Sequence, residues 1–218
     1  MTEDDVPTKV DFRDPAITAT WVAEAEDKGP QRPAVRQAIA ERVAEVGRAR
    51  VVDASKLGVL DAARMHILEL GPGPGLLAEA IYAACEVERY VLFDFAQPML
   101  DLAKQRLGER PRYMLGDFLD PQWPAMLEGQ PFDAIVAMQS VHELRHKRRA
   151  QTLYAQAKQL MRPGSVLVVA DHEPKDERPL FMTANEQCAA MTAAGFTNPV
   201  VHATFEGAYV VSSLLGST

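Results

Sequence analysis

A chain of 218 residues is long enough for one domain with a sizeable core, and 47% apolar residues describe an ordinary soluble globular protein. The net charge of -7 argues against broad nucleic-acid binding, which needs a positive surface. The longest apolar runs are strand-sized, so no transmembrane helix is expected, and the acidic start Met1-Thr2-Glu3-Asp4-Asp5 lacks the apolar stretch of a secretory signal. Cys85 and Cys188 are too few for a disulfide framework and read as reduced thiols of a cytoplasmic protein.

The first eleven or so residues read as disordered. Residues 15 to 27 form a helix-like run with Trp21 and Val22, and Gly29-Pro30-Gln31-Arg32-Pro33 breaks it. Val35, Ile39, Val43 and Val46 then recur at helical spacing, with Gly47 as an expected C-cap. Residues 1–50 therefore read as an N-terminal helical cap ahead of a domain spanning 51–218. From Met65 the chain alternates. Strand-like runs at 67–70, 90–93, 113–115, 134–138 and 166–170 are separated by helix-like runs at 76–84, 99–107, 124–127 and 149–161. The strand runs are continuously apolar, as burial on both faces of a parallel sheet requires. A helix at 184–194 ends at Gly195, and the runs 200–205 and 209–215, separated by Glu206-Gly207, read as a β-hairpin.

Between the first strand and its helix lies Glu69-Leu70-Gly71-Pro72-Gly73-Pro74-Gly75. A strand, a glycine-rich turn and a helix in that order build a nucleotide-type cofactor site. Alternate glycines permit close approach to the backbone. Pro72 and Pro74 offer no N–H, whereas a pyrophosphate loop needs such donors, and Glu69 repels phosphate. An acidic residue suits a ligand that carries an ammonium and a sulfonium. A dinucleotide fingerprint would want glycine or alanine at position 76, where Leu76 stands.

These residues resemble the first motif of class I S-adenosylmethionine-dependent methyltransferases, an acidic residue followed by Gly-x-Gly-x-Gly. The resemblance runs from about Met65 to Leu215. It implies an α/β, Rossmann-like doubly wound sheet of seven strands, mostly parallel, whose last strand inserts antiparallel between its neighbours, plus the helical cap. In this family such N-terminal segments often lid the substrate site; here the alternative is a helix that covers a sheet edge. The implied cofactor is S-adenosyl-L-methionine, with Glu69, Gly71, Gly73 and Gly75 in its loop.

Asp94 ends the second strand, 23 residues after Gly71, where a carboxylate can accept both hydroxyls of a ribose. The stretch Phe93-Asp94-Phe95-Ala96-Gln97-Pro98-Met99-Leu100 resembles the family's local pattern there, which brings in Phe95. The resemblance implies that Asp117 bonds the adenine amino group, and Phe118 suits a flat base. It also sets Met138 and Gln139 at the fourth strand's end, beneath the methyl donor. The Asn-Pro-Pro-Tyr motif of many amino-group methyltransferases and the magnesium-holding carboxylate of catechol-type enzymes are both missing at that point.

His142, in the following loop, is the first candidate for proton chemistry, because an ordinary imidazole titrates near neutrality. The other reading is a histidine that shapes the loop. His172, after the fifth strand, should face the same pocket; it reads as a substrate contact rather than a metal ligand, and no metal is expected. Trp21, Phe12, Phe181 and Met182 either pack in the core or line an apolar acceptor pocket. The basic run Arg145-His146-Lys147-Arg148-Arg149 reads as a solvated helix start. The expected function is methyl transfer to a small-molecule acceptor by in-line displacement, with the oligomeric state open and a homodimer one option. Rival readings are an NAD-dependent oxidoreductase, a cofactor-binding regulator or partner subunit, and an RNA or protein methyltransferase using the basic run.

Overall fold

Strands that are apolar at every position can be buried only if both faces of their sheet are covered. The computed structural model describes residues 5–7, 10–56, 64–127, 129–175 and 179–216, the side chains of 26 and 52–56 aside. In chain order the elements are α1 (Pro15–Lys28), α2 (Arg32–Lys56), β1 (Met65–Leu70), α3 (Leu76–Ala84), β2 (Val87–Asp94), α4 (Gln97–Leu107), β3 (Arg112–Leu115), β4 (Phe132–Met138), α5 (Ala150–Gln159), β5 (Met161–His172), α6 (Ala184–Ala193), β6 (Thr197–Phe205) and β7 (Ala208–Leu214). Short 3₁₀ turns occur at Trp123–Met126, Val141–Leu144 and Lys147–Arg149.

The seven strands form one sheet in the order β3-β2-β1-β4-β5-β7-β6. The first five are parallel, and β7 runs antiparallel between β5 and β6. Side chains alternate between two cores. Leu68, Phe93, Ile135 and Leu167 point into one, with Trp123, Leu153 and Met191 of the covering segments. Ile67, Leu92, Val136 and Val168 point into the other, against Val35 and Ile39 of α2, Ile81 of α3 and Leu100 of α4.

The N-terminal half differs from expectation. The helix does not stop at Gly47 but runs on to Lys56, and the expected domain boundary at residue 50 falls inside it. The face bearing Val35, Ile39, Val43 and Val46 is buried against Met65 and Ile67 of β1. That burial outweighs the ~1 kcal/mol cost of glycine inside a helix. Residues 1–4 and 8–9 of the expected disordered start lie outside the described residues, but Asp5 is buried and ion-paired to Arg149 at 2.9 Å. The Val6 N–H donates to the Arg145 carbonyl at 3.0 Å. The expected helix at 149–161 is shorter: α5 ends at Gln159, and Met161 already opens β5.

Candidate active site

β1 and β4 lie side by side, yet the chain moves outward from β1 to β2 and β3 on one side, and from β4 to β5 on the other. The segments leaving their carboxyl ends diverge, and such a switch point leaves a crevice. Gly71 sits there at φ +69°, and a Cβ on it would stand 2.5 Å from that of Ser140, whose hydroxyl donates to the Leu70 carbonyl at 2.7 Å. Only a residue without a side chain lets the two loops close to this distance. The Gly71 N–H is taken by the Phe93 carbonyl (2.9 Å) and the Gly75 N–H by that of Pro72 (3.1 Å). With two prolines in the same turn, the loop is poor in donors for a pyrophosphate. A cavity of about 390 Å³ opens beside it.

Two carboxylates reach this cavity from buried positions. Glu69 is 1% exposed, and its Oε2 accepts from the Tyr90 hydroxyl at 2.7 Å. Burial raises its pKa to about 8; the Tyr90 hydrogen bond opposes the rise and the charge of Asp94 adds to it. Asp94 accepts N–H bonds from Ala96 at 2.9 Å and Gly73 at 3.4 Å. Burial raises its pKa to about 6 despite those backbone bonds, with Glu143 adding to the rise. Gly71, Gly73, Phe95, Phe118 and Met138 line the same cavity.

The opposite chemistry comes from β5. Asp171 is 2% exposed, and its Oδ1 lies 2.7 Å from His142 Nδ1. It also accepts the backbone N–H of His142 (3.2 Å) and of His172 (2.8 Å). Burial alone would raise the Asp171 pKa; the charge and hydrogen bond of His142 outweigh it and keep the carboxyl ionised. Burial alone would likewise lower His142; the charge and hydrogen bond of Asp171, then the charge of Glu143, outweigh it and raise the imidazole. His142 Nε2 is 3.7 Å from Glu143 Oε1. His172 is lowered, first by burial, with His142 and Arg32 also disfavouring its charge. The two imidazole rings are 5.9 Å apart, and Phe181 packs 5.0 Å from His142.

Nine of the eleven expected site residues thus share one cavity, and two do not. Gly75 serves packing: at φ +81°, it precedes α3 and a Cβ there would meet Leu107 of α4 at 2.9 Å. Asp117 turns to its own loop, accepting the Leu119 N–H at 2.9 Å, with Arg13 at 3.9 Å. Phe12, Trp21 and Phe181 line the cavity, whereas Met182 is in the core. Asp171 and Tyr90 escaped the sequence reading as site residues, as did Arg32, Arg36 and Glu143; no local signal marks them. Gln139 sits at φ +53°, and its side-chain nitrogen is buried without a hydrogen-bond partner among the described residues. The basic run leads into α5 with Arg148 exposed, and three of its side chains are ion-paired: Arg145 with Glu143, Lys147 with Glu186 and Arg149 with Asp5. No group of three or more metal-ligating side chains occurs among the described residues, nor any helix long and apolar enough to cross a membrane.

Residues 67–164 match a family model described as a methyltransferase domain. Over that segment the chain is similar to methyltransferase domains, and the cofactor of that class is S-adenosylmethionine. Solved structures share the fold at low identity. The DhpI–SAH complex has a TM-score of 0.65 at 15% identity, over 95% of this chain and 97% of that one. An O-methyltransferase described as putative, from Nostoc punctiforme, has a TM-score of 0.64 at 15% identity, over 93% and 67%. The CurJ carbon methyltransferase has a TM-score of 0.61 at 16% identity, over 79% and 54%, so this chain spans about half its length. No curated protein matches the sequence.

Proposed function

We propose that this chain transfers a methyl group from S-adenosylmethionine to a small-molecule acceptor in the β1–β4 crevice. One observation carries the reading: an acidic end formed by Glu69 and Asp94 and a base formed by His142 and Asp171 meet in a single cavity. The residues fit the cofactor. Asp94 Oδ1 and Oδ2 are acceptors for paired ribose hydroxyls, and Glu69 offers a carboxylate to the cationic part. Phe118 supplies an apolar wall suited to a base. The unpartnered Gln139 nitrogen is a buried donor of the kind that a ligand acceptor satisfies. Bound there, S-adenosylmethionine supplies a methyl group on a cationic sulfur.

Displacement of this kind asks the protein chiefly for orientation. A hydroxyl acceptor must also lose a proton. With Nδ1–H donating to Asp171 Oδ1, His142 Nε2 holds the lone pair that takes it, and Asp171 stabilises the imidazolium that forms. Val6, Val10, Phe12 and Trp21 add apolar lining to the cavity.

Calorimetric titration with S-adenosylhomocysteine tests the cofactor half: Asp94→Ala should weaken binding roughly 10- to 100-fold. Equal affinity in both proteins removes the ribose assignment. His142→Ala should keep that affinity and lower transfer to a hydroxylated acceptor by roughly 10²- to 10⁴-fold. Unchanged turnover would assign His142 to loop shape.

A further inference from the structure

Beyond the ends of β4 and β5 the cavity wall is a cluster of three rings. The His142 and His172 imidazoles are 5.9 Å apart between centres, and Phe181 stands 5.0 Å from the first and 5.9 Å, edge-on, from the second. Each imidazole is committed on one side. His142 Nδ1 is held by Asp171 Oδ1 at 2.7 Å. The His172 ring donates to the backbone of Gly207, whose carbonyl also takes the Glu173 N–H at 3.1 Å and so ties the β6–β7 turn to the end of β5. Burial, reinforced by the charges of His142 and Arg32 and opposed by Asp171, keeps His172 neutral. A neutral imidazole that donates from one nitrogen carries a lone pair on the other. The wall therefore holds two lone pairs, one on each histidine. A hydroxyl carries one proton, so a single hydroxyl satisfies one of them and leaves the other unmet.

We propose that the acceptor is an aromatic ring with two hydroxyls on one edge, one delivered to His142 for methyl transfer and the other donating to His172, which selects it. This deepens the methyl-transfer reading of the crevice and rests on it. Phe181 and Trp21 supply ring faces for such a molecule. The first hydroxyl gives its proton to His142 Nε2, its oxygen forms the bond to the methyl carbon, and the electrons of the broken carbon–sulfur bond stay on sulfur. The second hydroxyl keeps its proton and fixes the ring. An amino group also carries two protons, but a neutral amine attacks with its own lone pair and sheds a proton afterwards. The His142–Asp171 pair is of use to a hydroxyl, which has to be deprotonated.

The test titrates two pairs of probes into the full chain by calorimetry at about pH 8.5, with and without saturating S-adenosylhomocysteine. The pairs are resorcinol with 3-methoxyphenol and catechol with 2-methoxyphenol; the ether of each keeps one hydroxyl and loses the second donor. In at least one pair the diol should bind roughly five- to tenfold more tightly than its ether. His172→Phe, which keeps a ring and removes the lone pair, should erase that preference and keep S-adenosylhomocysteine affinity. His172→Gln, whose amide oxygen is an acceptor, should keep part of it. Equal affinity within both pairs, or no binding of any probe at millimolar concentration, would overturn the proposal. So would aniline bound as tightly as the diol, or a preference lost alike in both variants, which would mark packing. A preference that survives His172→Phe would overturn it too and assign the second hydroxyl to Glu143, whose Oε1 is 3.7 Å from His142 Nε2. Failure of S-adenosylhomocysteine to bind the wild-type chain would instead overturn the cofactor reading, and the cofactor-free titrations would still report the donor preference.

Discussion

At the scale of single residues, the site is a set of groups whose protonation is set by burial and by the charges and hydrogen bonds around each. His142 is raised by Asp171 and Glu143 against its own burial and against Arg145. Its basic form is therefore available only above a midpoint higher than the ordinary value of about 6.5. The kcat/KM of the wild type should fall as pH drops through that midpoint, and Asp171→Asn should bring the midpoint down. An unmoved limb in the variant would show that Asp171 does not act through His142. In stability terms, the raised imidazole favours the folded chain below about pH 6.5, and this contribution fades as pH rises through the folded value. Glu69, at about 8, and Asp94, at about 6, are raised carboxyls and follow the same rule. Their contribution is complete below about pH 4 and is lost as pH climbs through those two values. A cation placed beside Glu69 favours its ionised form. S-adenosylmethionine binding at pH 7 should therefore release protons, seen as a dependence of binding enthalpy on buffer ionisation enthalpy, and Glu69→Gln should reduce it. Absence of release in the wild type would place no cation beside Glu69.

Among the elements, the glycine loop was legible in the sequence because a strand, a turn and a helix leave local signals. The purposes of its glycines were not. Gly71 answers to Ser140, 69 positions away in the chain, and Gly75 answers to Leu107 and Ala103 of α4. Gly75→Ala forces a left-handed residue and a contact at 2.9 Å. It should cost about 2–4 kcal/mol, the sum of the αL penalty and overpacking, and lower the melting temperature in a thermal scan. A melting temperature equal to that of the wild type would mean that α4 moves aside without cost. The end of α2 was misread for a related reason. Gly47 carries a stop signal in isolation, but its Cβ direction meets Met65 at an ordinary 3.5 Å and the helix continues under the sheet's cover.

Across the whole molecule, the crevice exists because strand order reverses at β1, and that order is locked at the opposite end of the strands. Asp133, fully buried at the start of β4, accepts Arg162 Nε at 2.8 Å and the His66 N–H at 2.9 Å, and it pairs with Arg50 of α2. One carboxylate thus ties β4, β5, β1 and α2. Asp133→Ala leaves two arginines without this partner and should destabilise by about 3–5 kcal/mol, or on the order of 10 °C in melting temperature. A loss below about 1 kcal/mol in denaturant titration would mean that the apolar cores alone hold the order.

By itself the sequence determined the alternation of strands and helices, the two-sided burial of the sheet, the terminal hairpin and the acidic, donor-poor loop at its centre; the insertion of the last strand between its neighbours was implied by the family resemblance alone. These follow from short-range sterics and from hydrophobic periods, which are written in neighbouring residues. Only the tertiary structure decided which polar groups meet in the crevice. His142 and Asp171 are 29 positions apart and touch because β4 and β5 are adjacent. Arg32 and Trp21 enter from a region with no strand pattern, and Asp117, equally plausible from its position at a strand end, turns away to its own loop. Such meetings depend on how elements pack at long range, and no local period carries that information.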